Sequence, residues 1–466
     1  MYNKVSSENI RFFVDLLDDR CLFSEEKKEE YSRDETEDLS YHPEIILKPN
    51  TSKEVSKILS YCNDKLIPVT PAGARTGLSG GALPIYGGVL LSMELFNKII
   101  SIDEKNSQVI TEPGVITEVL QNTLKEKGLF YPPDPASKGS CFIGGNIAEN
   151  SGGPKAVKYG VTSDYVLNLE VVLASGEIIW TGANVLKNAT GYNLTQLLVG
   201  SEGTLGIVTK IVLKLIPHPT RDMLMLVPFF EAEEACKAVA AIFNAGITPS
   251  GLEFMERDAL LLSQKTLDNP SVEIKDTHQA HLLIEADGFD EEIIMAECEK
   301  IMNVLESFKT DEILFAENEA QKNTLWAIRR KVGEAVKGKS IYKEEDTVVP
   351  RFALPALLKE VKSIGKEFGF ESICYGHAGD GNLHVNILKG DISDEKWENE
   401  LPVAIKKIFI KVKELGGTLS GEHGIGLVQK QYMEIFFSKN TILMMKNIKK
   451  IFDPKLILNP GKIFPD

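Results

Sequence analysis

Apolar positions in the first half of the chain alternate between helical and strand spacing. Residues 48–65 predict a helix, because the apolar positions recur on one face and Thr51 and Glu54 have the spacing of a capping box. The segment 166–180 predicts a β-hairpin that turns at Ser-Gly. Between these two segments, the pattern predicts strands at 88–92 and 108–112 and a helix at 116–127.

The pattern changes after Pro217 and Pro219, which stop the β-rich segment 203–217. Beyond these prolines, strand and helix spacing alternate in the order strand, helix, strand, helix as far as residue 308. This order predicts an α+β domain in which helices cover one face of an antiparallel sheet. The two prolines therefore mark the first domain boundary.

Length, charge and cysteine usage narrow the class of protein. A chain of 466 residues is too long for one core and predicts two or three domains. The net charge of −15 argues against nonspecific nucleic-acid binding, although a local basic pocket could still hold an anionic substrate. The six cysteines form no C-x-x-C pair, which favours reduced thiols in a cytosolic setting and provides no ligands for an iron–sulfur cluster. The sequence predicts neither a signal peptide nor a membrane-spanning segment.

Three glycine-rich segments stand out in the first half. They read "PAGARTGLSGG" (71–81), "PPDPASKGSCFIGGNIAENSGG" (132–153) and "GYNLTQLLVGSEGTLG" (191–206). Glycine lets successive backbone N–H groups converge on a phosphate oxygen. None of the three has the form of a Rossmann fingerprint or a P-loop. A single such loop is as well explained by tight turns, but three in one domain indicate a phosphate-containing cofactor.

The histidines are few and clustered towards the C-terminus. The chain has seven, and His377 and His384 flank a Gly-Asp-Gly-Asn turn in "CYGHAGDGNLHVN". Glu422 and His423 follow in "SGEHGIG". Two histidines and a carboxylate form a usual ligand set for a divalent transition metal. Asp380 is better explained by closing the turn than by metal ligation.

The glycine loops resemble the FAD-contacting segments of the vanillyl-alcohol-oxidase/p-cresol-methylhydroxylase flavoproteins. The resemblance implies a two-subdomain α+β FAD-binding domain (1–219, with a helical N-terminal segment at about 1–40), a substrate domain (220–415) with an antiparallel sheet, and a segment (416–466) that returns to the first domain. Residues 71–81 contain no histidine for covalent attachment, so we expect noncovalent FAD. We interpret Cys141 as structural.

The resemblance also implies which residues contact FAD. It assigns the pyrophosphate to Pro71, Ala72, Gly73, Arg75, Thr76, Gly77, Leu78, Ser79 and Gly80. It assigns the flavin lining to Pro135, Gly139, Gly144, Gly145, Asn146, Ser151, Gly152 and Tyr159. It assigns the adenine side or the ring edge to Glu202, Gly206 and Ile207, and adds Asn459 from "ILNPGK".

The C-terminal motifs resemble one branch of this family, the D-lactate dehydrogenases, the D subunit of glycolate oxidase and the D-2-hydroxyglutarate dehydrogenases. The resemblance implies His377, His384 and Glu422 as ligands of zinc or manganese, His423 as the acid/base residue and Asn386 as a substrate residue. "WAIR" and "YKEED" resemble the segments that supply substrate cations, here Arg329 and Lys343. Bidentate pairing of Arg329 with a carboxylate supports its assignment.

These observations predict FAD- and metal-dependent oxidation of a D-2-hydroxy acid, with D-lactate or glycolate as first choice. The hydride goes to flavin N5 and the proton to His423. Electrons then pass to a separate electron-transfer protein, iron–sulfur subunit or quinone, because the chain has no NAD fingerprint. We expect a cytoplasmic protein that reaches the inner membrane only through a partner, and the sequence leaves a homodimer open. The alternatives are a D-2-hydroxyglutarate dehydrogenase, a non-redox flavoenzyme such as an alkyl-dihydroxyacetone-phosphate synthase, a metallohydrolase and a noncatalytic scaffold.

Overall fold

The computed structural model describes residues 2–267 and 272–465 and divides into two compact units. Unit 1 contains Met1–Gly152, Val161–His218 and Glu422–Asp466, and unit 2 contains Gly153–Gly160 and Pro219–Gly421. The first boundary falls within one residue of the prediction, but the C-terminal segment of unit 1 begins at 422 rather than 416. Residues 153–160, which the sequence places in the FAD-binding domain, belong to unit 2.

The strands are short in unit 1 and longer in unit 2. In chain order they are β1 (Cys21–Leu22), β2 (Ile45–Leu47), β3 (Val69–Ala72), β4 (Val89–Ser92), β5 (Ile99–Asp103), β6 (Gln108–Thr111), β7 (Leu129–Phe130), β8 (Val166–Val172), β9 (Ile178–Trp180), β10 (Ile207–Lys214), β11 (Ile216–Pro217), β12 (Arg221–Phe229), β13 (Gly251–Glu256), β14 (Ala280–Gly288), β15 (Leu314–Phe315), β16 (Tyr342–Val348), β17 (Glu371–Gly376) and β18 (Asn382–Leu388).

The helices lie between and beside these strands. In chain order they are α1 (Ser7–Leu17), α2 (Glu25–Glu30), α3 (Ser52–Lys65), α4 (Thr117–Lys125), α5 (Ile143–Glu149), α6 (Ala156–Tyr159), α7 (Leu194–Leu198), α8 (Ala232–Asn244), α9 (Arg257–Gln264), α10 (Glu291–Leu305), α11 (Glu319–Arg330), α12 (Val332–Lys337), α13 (Leu354–Phe368), α14 (Asp394–Glu414), α15 (Met433–Phe436) and α16 (Lys439–Phe452). None of the helices in the described part of the chain is long and apolar enough to cross a membrane.

Unit 1 is built from two α+β subdomains. The first has a four-stranded sheet in the order β1-β2-β4-β3, with a core that also takes in α1 and α3. The second has a five-stranded antiparallel sheet in the order β5-β6-β10-β8-β9, with a core that includes α4 and α5. Thr51 caps α3 by accepting the backbone N–H of Glu54 at 3.2 Å, and Gly176, at φ +89°, lies in the turn between β8 and β9. The predicted helices, strands and hairpin of this half are therefore confirmed.

Unit 2 is built on a seven-stranded antiparallel sheet in the order β15-β12-β14-β13-β17-β18-β16. Helices α9, α11 and α12 pack on one face of this sheet, in a core with Leu226, Met255 and Leu283. On the opposite face, Lys362 of α13 bonds Glu256 at 2.7 Å. The predicted α+β class is confirmed, but helices cover both faces rather than one. An amphipathic pattern predicts that a helix packs against a sheet without specifying which face.

Candidate functional site

The three glycine-rich loops meet in unit 1. A Cβ built on Gly73 of the first loop would lie 3.8 Å from the backbone nitrogen of Gly145 in the second loop. A Cβ on Gly203 of the third loop, where φ is +67°, would lie only 2.4 Å from Cγ of Pro71. At Gly203 the loops can approach this closely only because glycine has no side chain, whereas the contact at Gly73 is an ordinary van der Waals distance. Segments more than 50 residues apart in sequence therefore form one surface.

Asn459 fastens the C-terminal segment to these loops. Its Nδ2 donates to Gly81 O at 2.9 Å and to Glu202 O at 2.8 Å, and its backbone N–H donates to Val69 O at 2.8 Å. Lys462 adds a bond from Nζ to Leu83 O at 2.6 Å. These bonds lie within unit 1, which includes residues 422–466. The side chain of Asn459 is committed to the loops themselves.

The loop surface fits a ligand that carries phosphate oxygens. The hydroxyl of Ser79 is buried and has no hydrogen-bond partner among the described residues. A Cβ on Gly77 or Gly145 would meet no described protein atom within 4 Å, so the backbone is open to a ligand there. A buried hydroxyl without a partner is costly unless a ligand satisfies it. These groups suit the extended FAD that the sequence predicts.

Other predicted FAD residues have packing partners of their own. A Cβ on Gly144 would lie 2.5 Å from Pro113 Cβ, and one on Gly206 would lie 2.5 Å from Val171 Cγ1. The side chain of Asn146 donates to Thr117 Oγ1 at 2.7 Å, and the guanidinium of Arg75 lies 4.3 Å from the centroid of the Tyr31 ring. These positions shape the loops. Cys141 is buried, which raises the pKa of its thiol, and it contacts Thr117 Oγ1 at 3.3 Å.

Glu202 holds the loop that carries Glu422 and His423. Its carboxylate accepts the backbone N–H groups of Ile425 at 2.8 Å and Gly426 at 2.7 Å. Burial raises the pKa of Glu202 to about 7, against the opposing effect of these two hydrogen bonds. The sequence assigned Glu202 to the adenine side or the ring edge of FAD. In unit 1 its carboxylate fixes the backbone of the "SGEHGIG" loop, and its assignment to FAD stays a prediction.

In unit 2, one face of the sheet gathers a second group of polar residues. His384 and Asn386 lie on β18, and the antiparallel register places them opposite Asp346 and Glu344 of β16. His377 directly follows β17, and its ring centroid is 5.5 Å from that of His384. Alternation along a strand keeps these partners on one face. The two histidines predicted as metal ligands are therefore neighbours, and Asn386 shares the face of His384.

Lys343, predicted to bind substrate, does not join this group. Its cross-strand partner is Ile387, which places it on the face opposite to His384 and Asn386. Its neighbour Glu344 lies on the face that holds His384 and Asn386. Its Oε1 is 3.7 Å from His384 Nδ1 and 3.3 Å from the Tyr375 hydroxyl. The register of the edge strand β16 determines which of the two residues lies on the face of His384, and a sequence motif contains no information on that register.

Glu253 on β13 connects His377 to Arg329. Its carboxylate oxygens lie 2.8 and 2.9 Å from His377 Nδ1, and Oε2 lies 2.6 Å from Nη2 of Arg329. Burial alone raises the pKa of Glu253, but the charges of His377 and Arg329 outweigh burial and lower it. An ionised carboxylate only accepts hydrogen bonds, so Nδ1 of His377 carries a proton towards Glu253. Sequence analysis missed Glu253, which lies in no recognisable motif.

Two buried groups beside the histidines lack well-formed hydrogen bonds. Both amide atoms of Asn386, which is fully buried, lack a hydrogen bond of standard geometry within the described residues. Nε of Arg329 likewise has no hydrogen-bond partner there, although the residue is only 4% exposed and its guanidinium lies 5.1 Å from the Tyr375 ring centroid. Buried donors of this kind are seldom left unpaired. Their chemistry, a guanidinium and an amide, suits a carboxylate and a hydroxyl.

Asp346 fixes the end of unit 2. Its Oδ2 accepts the Ser420 hydroxyl and the Gly421 backbone N–H, each at 2.8 Å, and its Oδ1 accepts Asn382 Nδ2 at 2.7 Å. Gly421 is the last residue of unit 2. The predicted ligand Glu422 and the predicted base His423 follow it directly in the chain.

The segment 153–160 is fastened to the same sheet by buried charges. Lys155 pairs with Glu285, Lys158 pairs with Asp287 at 2.8 Å, and the Tyr159 hydroxyl donates to Asp287 at 2.6 Å. Tyr159, predicted to line the flavin, thus has its hydroxyl committed within unit 2. Glu285 also accepts Nε1 of Trp326 at 2.9 Å, on the helix that carries Arg329.

Comparison with known proteins identifies the family. Residues 43–182 match the FAD binding domain, and residues 218–463 match the C-terminal domain of the FAD linked oxidases. The chain belongs to the FAD-linked oxidases. This oxidase is 38% identical to a D-lactate dehydrogenase of Anaerostipes hadrus over 99% of its own length and 98% of the relative's. It is 41% identical to glycolate oxidase subunit GlcD of Bacillus subtilis, covering 93% and 92% of the two chains.

The similarity extends further at lower identity. The oxidase is 34% identical to a D-2-hydroxyglutarate dehydrogenase of Xanthomonas citri, covering 94% and 92% of the two chains. A crystal structure of p-cresol methylhydroxylase with substrate bound superposes with a TM-score of 0.81 at 17% identity, over 100% of this chain and 99% of that chain. That likeness confirms the predicted fold. The family match and the relatives named as dehydrogenases show that the protein is an FAD-dependent oxidoreductase, which sets the metallohydrolase and scaffold alternatives aside.

Proposed function

We propose that this FAD-linked oxidase oxidises a D-2-hydroxy acid to the 2-oxo acid, with D-lactate or glycolate as its preferred substrate. The observation that carries the proposal is that the buried Arg329 Nε has no hydrogen-bond partner in the described residues and that the buried amide of Asn386, on the sheet face of His384, has no hydrogen bond of standard geometry there. A substrate carboxylate and hydroxyl would satisfy both groups. The names of the curated relatives point to the same class of substrate.

The metal-ligand set in this proposal is His377, His384 and Glu422. Two adjacent imidazoles, one of them oriented by a carboxylate, suit zinc or manganese better than magnesium or calcium. When bound, such a metal lowers the pKa of the substrate hydroxyl. Asp346 supports this ligand set indirectly. Its carboxylate accepts the backbone N–H of Gly421 and so holds the residue that immediately precedes Glu422 in the chain.

The roles of the remaining residues follow from their chemistry. FAD, when bound, would supply the acceptor for the hydride that leaves C2 of the substrate. Arg329 binds the substrate carboxylate, and Asn386 holds the substrate by hydrogen bonds from its amide. His423 takes the hydroxyl proton, because an imidazole titrates near neutral pH. Glu202 supports that role by fixing the loop on which His423 lies.

The preference for a small monocarboxylate rests on Glu344. This carboxylate faces the side of the sheet that holds His384, whereas Lys343 lies on the other face. A second carboxylate on the substrate, as in D-2-hydroxyglutarate, would be repelled by Glu344. Lys155 and Lys158, which also lie on this face, are already paired with Glu285 and Asp287. We therefore rank D-2-hydroxyglutarate below D-lactate and glycolate.

The proposal includes a separate electron acceptor. The chain carries neither an NAD fingerprint nor cysteines spaced for an iron–sulfur cluster. The electrons of the reaction would therefore leave through an electron-transfer protein, an iron–sulfur subunit or a quinone. We place the enzyme in the cytoplasm, reaching the inner membrane through that partner.

Anaerobic stopped-flow absorbance tests the substrate directly. The FAD-loaded enzyme is mixed separately with D-lactate, glycolate and D-2-hydroxyglutarate, before and after chelation. We expect D-lactate or glycolate to bleach the flavin fastest, and chelation to abolish the bleaching. Fastest bleaching by D-2-hydroxyglutarate would refute the preference. An enzyme that none of the three acids reduces would refute the proposed substrate class.

A further inference from the structure

We infer that Glu253 is the positioning residue of the substrate site, because one carboxylate fixes both the metal-binding histidine His377 and the substrate arginine Arg329. This inference rests on the proposed function. Glu253 reaches His377 Nδ1 at 2.8 Å with the same oxygen, Oε2, that lies 2.6 Å from Arg329 Nη2. It touches neither the substrate nor the flavin in this role.

The hydrogen bond to Glu253 selects the tautomer of His377. A neutral imidazole has one N–H and one lone pair, and the acceptor at Nδ1 places the hydrogen there. The lone pair is then on Nε2, which is the atom that would bind a metal. Carboxylates that hold a ligating histidine in this way raise its basicity and fix its ring orientation.

The same carboxylate restrains Arg329. The ion pair occupies Nη2, while Nε stays without a hydrogen-bond partner in the described residues. Because the residue is 4% exposed, its guanidinium has little room to turn. Glu253 thus fixes the orientation of the Arg329 guanidinium, so that the N–H group at Nε keeps one direction. It also balances the positive charge of Arg329 before an anionic substrate binds.

The location of Glu253 suits this task. It lies within β13, in the middle of the sheet, and is fully buried. Strand residues of this kind hold a position more rigidly than loop residues do. His377 is 124 positions further along the chain, so the contact exists only because β13 and β17 are neighbours in the sheet.

The test measures Zn²⁺ affinity of the FAD-loaded enzyme by competition with a chromophoric chelator. Glu253→Gln has the same shape and keeps an acceptor oxygen, but loses the charge. We expect its dissociation constant for Zn²⁺ to rise about tenfold to hundredfold, with an unchanged flavin spectrum. We expect a larger rise in Glu253→Leu, which has no acceptor for Nδ1–H. Nitrogen-15 NMR of the imidazoles should also show His377 losing its single tautomer in Glu253→Leu.

The matched control is Glu256→Gln, which removes another buried carboxylate from the same strand. Glu256 accepts from Lys362 and from the backbone N–H of Cys374, on the opposite face of the sheet. Its Zn²⁺ affinity should equal that of the wild type. If Glu253→Gln also binds Zn²⁺ like the wild type, Glu253 has no positioning role, and this result decides the matter even if Glu253→Leu fails to fold. If His377→Ala leaves Zn²⁺ affinity unchanged, the proposed metal site itself is refuted.

Discussion

Glu344 and His384 lie on the same face of the unit 2 sheet, with Glu344 Oε1 3.7 Å from His384 Nδ1. The neighbouring residue Lys343 lies on the other face. An acidic group therefore stands where the sequence motif suggested a cation. In the proposed function, Glu344 would select against a second substrate carboxylate by repulsion, while Arg329 would attract the first.

Replacing Glu344 by glutamine should relax this selection. The neutral amide removes the repulsion of a second substrate carboxylate and keeps the size of the side chain. We expect kcat/KM for D-2-hydroxyglutarate to rise roughly tenfold relative to D-lactate, which corresponds to about 1.4 kcal/mol. Steady-state kinetics with an artificial electron acceptor measures the ratio.

Lys343→Met is the matched control for this change, because it alters the adjacent residue on the opposite face. Its ratio of the two kcat/KM values should equal that of the wild type. A loss of activity in Lys343→Met that is confined to D-2-hydroxyglutarate would restore the original assignment of Lys343 to the substrate.

Two adjacent glycines of α5 should separate FAD binding from folding. A Cβ on Gly145 meets no described protein atom within 4 Å, whereas one on Gly144 would lie 2.5 Å from Pro113 Cβ. Gly145→Ala should therefore weaken FAD binding at least tenfold while the FAD-free protein keeps its melting temperature. Gly144→Ala should lower the stability of the FAD-free protein by about 1–3 kcal/mol through overpacking. Calorimetry and a flavin fluorescence titration measure the two effects.

Loss of a proposed ligand should remove metal and turnover together. His377→Ala should weaken Zn²⁺ binding more than about 100-fold, because even the outer partner of a ligating histidine is worth 10- to 100-fold. Dialysis of the wild type against a chelator should abolish turnover with the flavin still bound, and added Zn²⁺ or Mn²⁺ should restore it. Full activity of the metal-free enzyme would contradict the proposed metal dependence.

The proposed base can be tested without disturbing the flavin. His423→Ala should keep the flavin spectrum and lower kcat by about 10²- to 10⁴-fold, the usual contribution of a general base. His42→Ala serves as control, since His42 is a half-exposed histidine whose ring contacts Glu29. Turnover of His423→Ala at the wild-type rate would show that another group accepts the proton.

His281 should make unit 2 less stable in acid. Burial first, and then the charges of His278 and Arg257, lower the pKa of His281 to about 3. The unfolded chain binds a proton at this histidine below about pH 6.5 and the folded chain does not, so stability falls as the pH decreases through that window. Between pH 7 and pH 5 the loss should be about 2 kcal/mol.

Urea unfolding of the wild type and His281→Leu, followed by the fluorescence of Trp326 and Trp397, measures this loss. The free energy of unfolding of His281→Leu should depend less on pH by that amount. Equal pH dependence in both proteins would mean that His281 is protonated in the folded state.

Local sequence determined much of the FAD-binding half. The three loops are marked by the spacing of their glycines, and the helices and strands around them by the period of their apolar residues. Both patterns involve residues close together in the chain, so they can be recognised in the sequence. The same holds for His377 and His384, which are seven residues apart on either side of one turn. The predicted fold class and family were confirmed for this reason.

Only the tertiary structure decided which residues support the site. Glu253 reaches His377 because β13 lies beside β17, and Lys155 reaches Glu285 because residues 153–160 belong to unit 2. The register of β16 against β18 likewise places Glu344 on the face of His384 and Lys343 on the opposite face, whereas the motif had suggested Lys343 for the substrate site. Strand order and register are set by the packing of the whole sheet, and a shift of one residue moves every side chain to the opposite face. No local pattern in the sequence carries that information.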